Sequence, residues 1–122
     1  MNDQLELGKL GEKIAREFLE KKNYRIIAQN YKNYFGEMDL IARDGNFFIF
    51  IEVKTRLKNT FGPPEESINR QKQKKLIRIS NQYLLENKIE GENYRIDCLA
   101  IEIDKTKKCA TVRHIKDAVK YF

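Results

Sequence analysis

Glu-x-Lys occurs three times in the chain, as Glu20-Lys21-Lys22, Glu52-Val53-Lys54 and Glu86-Asn87-Lys88. With 12 Glu and 16 Lys in 122 residues, chance alone supplies roughly one or two such triplets. Position separates them. The first and third fall on polar helix ends, whereas the second closes the apolar run Phe47-Phe48-Ile49-Phe50-Ile51. A carboxylate and an ammonium at the end of a strand that is otherwise apolar are the residues here that need a chemical explanation.

Period-two strand geometry puts Glu52 and Lys54 on one face. The preceding strand, Met38-Asp39-Leu40-Ile41-Ala42-Arg43, is joined to theirs through Asp44-Gly45-Asn46, and Gly and Asn tolerate the positive φ of a tight turn. If the hairpin turns at Gly45-Asn46, Asp39 lies directly opposite Glu52. If it turns at Asp44-Gly45, Asp39 is one diagonal step away on the same face. Either register gathers two carboxylates and an ammonium. Facing carboxylates repel unless a cation lies between them, so a divalent metal held by Asp39 and Glu52 is one reading. Lys54 beside it would orient an attacking water or stabilise charge developing on a phosphate. The other reading is a strand-end ion pair in which both carboxylates share Lys54. Glu37, two residues before Asp39, is either a supporting carboxylate behind the pair or a solvated one. His114 is the single histidine, and Cys98 and Cys109 make no metal-type pair. Metal chemistry here would therefore rest on carboxylates, which select hard cations such as Mg²⁺ or Mn²⁺.

The elements that must position these groups can be read from periodicity. Leu7, Leu10, Ile14 and Phe18, with Gly11, Ala15 and Leu19 beside them, predict an amphipathic helix over residues 4–22 that ends at Asn23. Glu12 stands next to the apolar stripe of that helix. A strand over 24–31 follows, then a loop at Lys32, Asn33 and Tyr34, then the hairpin over 37–54. The second hairpin strand is apolar enough to be central and covered on both faces. Residues 58–64 carry Gly62-Pro63-Pro64 and read as a loop, with Phe61 packed under its own prolines or stacked on a base. A second helix over 69–87 has the stripe Leu76, Ile79, Ser80, Tyr83 and Leu84, with Arg70, Lys74 and Arg78 on another face. Strands over 94–103 and 110–115 complete the order α-β-β-β-α-β-β, an α/β chain with a central mixed five-stranded sheet flanked by helices.

Length and composition bound the rest. A chain of 122 residues closes one core, so residues 1–122 are expected to form a single domain. A hydrophobic fraction of 41% and a charged fraction of 34% exclude a disordered chain. The net charge of +6 and pI near 9.3 favour a polyanionic partner, nucleic acid ahead of an anionic membrane surface. No apolar run approaches the roughly 20 residues that span a bilayer, and the N-terminal residues lack a signal pattern. A cytoplasmic protein with reduced thiols is expected.

Three motifs in order, Gly8-Lys9-Leu10-Gly11-Glu12-Lys13-Ile14-Ala15, Gly36-Glu37-Met38-Asp39-Leu40-Ile41 and Ile51-Glu52-Val53-Lys54-Thr55-Arg56 with Phe61-Gly62, resemble the YraN-type family of small bacterial proteins. That family belongs to the PD-(D/E)xK, restriction-endonuclease-like superfamily, and the layout is similar to that of archaeal Holliday-junction resolvases. The match extends through Lys72 and Arg95-Ile96-Asp97. The resemblance implies a restriction-endonuclease-like fold, Asp39 and Glu52 as metal ligands, Lys54 as the water-orienting or charge-stabilising lysine, and Glu12 as a further acidic member of the site. Met38 stands where the superfamily usually has Pro. The implied reaction is hydrolysis of a phosphodiester, with in-line attack of water and departure of the 3′ oxygen. Asp97 would support the site from behind or pair with Arg95. Lys72 would contact phosphate near the site, and Arg56, Lys58, Arg70, Lys74, Lys75 and Arg78 would bind backbone phosphates, unless they form a solvated basic face. The resolvases of similar layout act as symmetric dimers, so a homodimer is a further expectation, although no coiled-coil seam is present. Three functions compete: a metal-dependent endonuclease acting on DNA, including branched or structured DNA; a catalytically silent nucleic-acid-binding protein on a nuclease fold; and a protein-interaction domain whose charge serves solubility.

Overall fold

The computed structural model describes residues 3–58, 68–90 and 93–119. Helix α1 (Asp3–Lys21) is followed by strands β1 (Arg25–Asn33), β2 (Gly36–Asp44) and β3 (Phe47–Leu57), helix α2 (Arg70–Glu86), and strands β4 (Tyr94–Asp104) and β5 (Cys109–Ile115). The five strands form one sheet in the order β1-β2-β3-β4-β5, antiparallel except for the parallel pair β3–β4. Parallel neighbours need a crossover, and α2 supplies it. The expected α/β class, element order and mixed five-stranded sheet are all present.

Helix α1 ends where Asn23 takes φ 68°, while the Tyr24 and Asn23 amides donate back to the carbonyls of Leu19 and Glu20. This is a Schellman closure, and it turns the chain directly into β1. Helix α2 begins at Asn69, whose side chain accepts from the Lys72 amide at 2.9 Å. The two helices cover opposite faces of the sheet. Ala15 and Leu19 of α1 pack on Leu40, Ala42, Ile49, Ile51, Leu99 and Ile101. Leu76, Ile79, Tyr83 and Leu84 of α2 pack on Met38, Ile41, Phe50 and Ile96. Strand β3 is central, as its apolar run requires.

Two local features depart from the sequence reading. Strand β1 runs two residues further than expected, to Asn33, and pairs there with Gly36, so the connection to β2 is only Tyr34-Phe35. In addition, Met38 and Ile41 both face α2, whereas Leu40 and Ala42 face α1. Strict alternation would put 38, 40 and 42 on one face, so the pleat slips a step at Asp39. The neighbouring strand slips with it: Ala28 and Tyr31 both lie under α2, and Asn30 between them has φ 51°. Asn is among the few non-glycine residues that enter this region readily.

Candidate active site

The hairpin turns at Gly45-Asn46, with Asp44 opposite Phe47 and Leu40 opposite Ile51. That register carries Asp39 to Glu52, at the point where the β2–β3 ladder opens. The Val53 amide, freed there from strand pairing, donates to Asp39 Oδ2 at 2.8 Å. The two carboxyl groups lie close enough that each shifts the titration of the other, and a hydrogen bond between them forms only when one is protonated, because a carboxylate has no proton to donate.

Burial first, and then the hydrogen bond and charge of Glu52, push the Asp39 carboxyl up to about 8, against the Val53 amide, which lowers it. Burial also works against the Glu52 carboxylate. It is outweighed by the hydrogen bond to Asp39 and by Lys72, with Lys54 adding to them, so Glu52 is held below the ordinary glutamate value. Two facing carboxyls thus titrate apart, one neutral and one charged at neutral pH. Lys72 Nζ lies 2.9 Å from Glu52 Oε2, a close ionic contact to this buried oxygen. The ion pair of Glu52 is with Lys72 on α2, not with Lys54 as the simplest strand-end pairing would have it.

Helix α1 contributes Glu12. Gly11 lies so close to β3 that a Cβ there would collide with the Thr55 side chain, and this contact sets the next residue at the rim of a cleft of about 610 Å³ lined by Gly8, Glu12, Asp39, Val53, Lys54 and Arg56, among others. Burial raises the affinity of Glu12 for a proton, and the charges of Glu37 and Glu52 raise it further. With its amide nitrogen turned toward the carboxylates, Asn30 donates to Glu12 Oε1 at 2.7 Å and to Glu37 Oε1 at 3.1 Å. The slipped, left-handed Asn30 thereby ties exposed Glu37 to Glu12. Asn30 and Thr55 were missed by sequence reasoning. An Asn in a strand shows no periodicity, and a Thr is an ordinary strand residue until its partner is known to be Gly11.

Among the described residues, no group of three or more His, Cys, Asp or Glu side chains is arranged to hold a metal ion. The pair itself fits a hard cation. Asp39 and Glu52 bring two carboxyls side by side, each shifting the other, with Lys72 2.9 Å from Glu52 Oε2, and hard cations accept two carboxylates with their remaining positions filled by water or phosphate.

The basic residues do not form one surface. Lys72, Lys74, Lys75 and Arg78 line a groove of about 680 Å³ on α2 together with Phe35, Asn69 and Gln71. Arg56 instead borders the acidic cleft. Lys58 lies 3.7 Å from Asp104, across β4. Arg70 is exposed at the start of α2. Lys72 belongs to both places, lining the groove and touching Glu52. Asp97 lies elsewhere: fully buried, it accepts from Arg95 Nε at 3.0 and 3.1 Å, from His114 Nε2 at 2.7 Å and from the Asp117 amide at 2.9 Å. These donors outweigh burial and hold its carboxyl below the ordinary value. Phe61 and Gly62-Pro63-Pro64 lie outside the described residues. Both cysteines are free, Cys98 buried and Cys109 exposed. No helix among the described residues is long and apolar enough to cross a membrane.

Comparison with known proteins places this geometry in a family. The model of the uncharacterised protein family UPF0102 matches residues 11–101, a span that includes Glu12, Asp39, Glu52, Lys54 and Lys72. A UPF0102 protein of Thermodesulfovibrio yellowstonii is 44% identical over 115 residues, covering 94% of this chain and 96% of the relative. One from Syntrophus aciditrophicus is 41% identical over 118 residues, covering 97% and 91%. Another, from Alkaliphilus metalliredigens, is 42% identical over 102 residues, covering 84% and 90%. The chain therefore belongs to the UPF0102 family, the YraN-type family that its three motifs resemble.

Proposed function

We propose that this protein is a metal-dependent endonuclease of the PD-(D/E)xK type, with a restriction-endonuclease-like fold, that hydrolyses phosphodiester bonds in DNA. The observation that carries the proposal is the Asp39–Glu52 pair: two carboxyls in contact at the open end of a hairpin, with Lys54 and Glu12 on the same cleft and a basic groove reached through Lys72. Carboxylates brought together at the expense of a captured proton are poor structural choices, and they suit a site that trades the proton for a cation.

Asp39 and Glu52 would hold Mg²⁺ or Mn²⁺, which supplies Lewis-acid polarisation of a phosphate oxygen and a more acidic water. The other work falls to side chains. Lys54 donates to the attacking water or to a non-bridging phosphate oxygen, where negative charge accumulates. Glu12, whose affinity for a proton is raised by its surroundings, accepts a proton from that water. The water oxygen bonds to phosphorus, the bond to the 3′ oxygen breaks, and a solvent proton completes the 3′ hydroxyl, leaving a 5′ phosphate. Lys72 and the groove beyond it hold the backbone through charge, which reads position rather than base sequence.

A catalytically silent nucleic-acid-binding protein is the second reading. The observation on its side is Lys72 itself, which already neutralises Glu52. Incubation of single-stranded, duplex, flap and four-way-junction DNA with Mg²⁺ or Mn²⁺ separates the two. Under the endonuclease reading the wild type cuts at least one substrate, while Asp39→Ala and Lys54→Ala do not. Cutting that survives both substitutions, or none by a wild type that binds DNA, overturns the proposal.

A further inference from the structure

The β1–β2 turn presents an exposed aromatic pair that the catalytic reading leaves unexplained. Tyr34 is 95% exposed and Phe35 36% exposed, and their rings meet edge to face with centroids 5.5 Å apart. Single exposed apolar residues are common on surfaces, but two adjacent aromatics on a two-residue strand connection are not turn chemistry. The turn is also held firmly. Asn33 Oδ1 accepts from the Phe35 amide at 2.9 Å, and Asn33 Nδ2 donates to the Ile79 carbonyl of α2 at 3.2 Å. Gly36, at φ 145°, leaves space that the Lys75 side chain occupies, since a Cβ there would lie 2.6 Å from Lys75 Cε. Tyr34 and Phe35 are thus fixed to the same helix that carries the basic groove, and Phe35 forms part of the groove wall with Lys72, Lys74, Lys75 and Arg78. Lys72 ends that groove 2.9 Å from Glu52.

A cationic groove with an aromatic at its edge binds a nucleic-acid strand in a particular way: the cations follow the backbone while an unstacked base lies on the ring. Bases within a continuous duplex are already stacked and are not available to Tyr34. Resting on the endonuclease reading, we infer that Tyr34 is a stacking platform for an unpaired base close to the scissile phosphate, so that the substrate is DNA with a single-stranded stretch at the site.

Fluorescence anisotropy at low salt without divalent metal tests this, using labelled oligothymidylate and a blunt duplex of the same length as probes. Tyr34→Ala is expected to weaken binding of the single strand about tenfold, as loss of one stacked base does, and to leave the duplex within about twofold. Tyr34→Trp restores the single-strand affinity. Because Tyr34 is nearly fully exposed, the thermal midpoint of the variant stays that of the wild type, which keeps a binding defect distinct from unfolding. Equal loss on both probes, or loss on neither, overturns the inference. So does an unchanged affinity accompanied by a shift in sedimentation, which would assign the turn to self-association. Wild type that cuts DNA while Tyr34→Ala binds like it refutes this inference alone. Wild type that binds neither probe and cuts none of the single-stranded, duplex, flap and junction DNAs in Mg²⁺ or Mn²⁺ refutes the endonuclease reading as well.

Discussion

Replacing Asp39 by Asn tests the captured proton, because asparagine reproduces the protonated side chain: its oxygen still accepts from the Val53 amide and its NH₂ donates toward Glu52. The Asp39 carboxyl moves from 3.8 to about 8 in the folded chain, through burial first and Glu52 second. A carboxyl raised on folding holds its proton more tightly in the native state. The stability it contributes is complete below its unfolded value and is lost as pH rises through the folded value. The full interval corresponds to at most about 6 kcal/mol, and water in the cleft with relaxation of the pair leaves on the order of 2–3 kcal/mol. In a domain of this size that is roughly 10 °C in Tm. Glu52, held below 4.5, acts in the opposite sense: its contribution is present above that value and is lost only in acid, so the alkaline window reports Asp39. In chelator, the gap between Asp39→Asn and the wild type is expected to be smallest at about pH 4, to widen as pH rises through the window, and to reach roughly 10 °C in favour of the variant at about pH 9. Millimolar Mg²⁺ should close most of that gap by stabilising the wild type and leave the variant unmoved. Melting curves that stay parallel from acid to alkali would refute the shared proton.

Asp97→Asn removes the negative charge shared by Arg95 and His114 and turns one of the two acceptor oxygens into a donor facing their donors, while the other can still accept from the Asp117 amide, and urea denaturation at neutral pH should show a loss of about 2–4 kcal/mol. The Asp97 carboxyl is depressed, so its contribution exists above 3.8 and is lost as pH falls through its folded value; the gap between variant and wild type should therefore narrow in acid, and cleavage per folded molecule should not change. Gly11→Ala forces a Cβ into Thr55 and should cost about 1–3 kcal/mol, part of it recovered by adding Thr55→Ala, which removes two of the three crowded atoms. Lys74→Ala, Lys75→Ala and Arg78→Ala combined should lower the slope of log affinity for duplex DNA against log salt by about 2–3, one step for each phosphate that no longer meets a cation.

How far the site was legible follows from the range of the interactions that build it. The hairpin was readable because Asp44-Gly45-Asn46 and the apolar run after it are local signals, and the two possible registers both brought Asp39 to Glu52. The pleat slip at Asn30 and Asp39 was not readable, since it needs two strands to deviate together, and the run Met38, Leu40, Ile41, Ala42 is apolar on both faces, so its residue types do not show where the alternation breaks. The Tyr34-Phe35 turn was hidden for a related reason: its stability comes from the Asn33 side chain, the positive φ of Gly36 and an α2 carbonyl, not from the turn residues. The Lys72–Glu52 ion pair joins residues 20 apart across a helix start, and only the packing of α2 on the sheet shows that Lys72 serves the acidic site as well as the basic groove. Asp97, by contrast, had Arg95 two residues away on the same strand face, and that pairing was visible from period-two spacing.

Single-turnover cleavage of a 5′-labelled flap DNA by wild type and Glu52→Gln, in Mg²⁺ and in chelator, tests the central claim most directly. Glutamine keeps the shape of Glu52 while removing the charge that would hold a cation. The wild type should cut in Mg²⁺ and not in chelator, leaving a 5′ phosphate, and Glu52→Gln should be slower by about 100-fold or more at unchanged DNA affinity. Equal rates for the two proteins, or cutting that persists in chelator, would contradict metal-assisted hydrolysis at the Asp39–Glu52 pair.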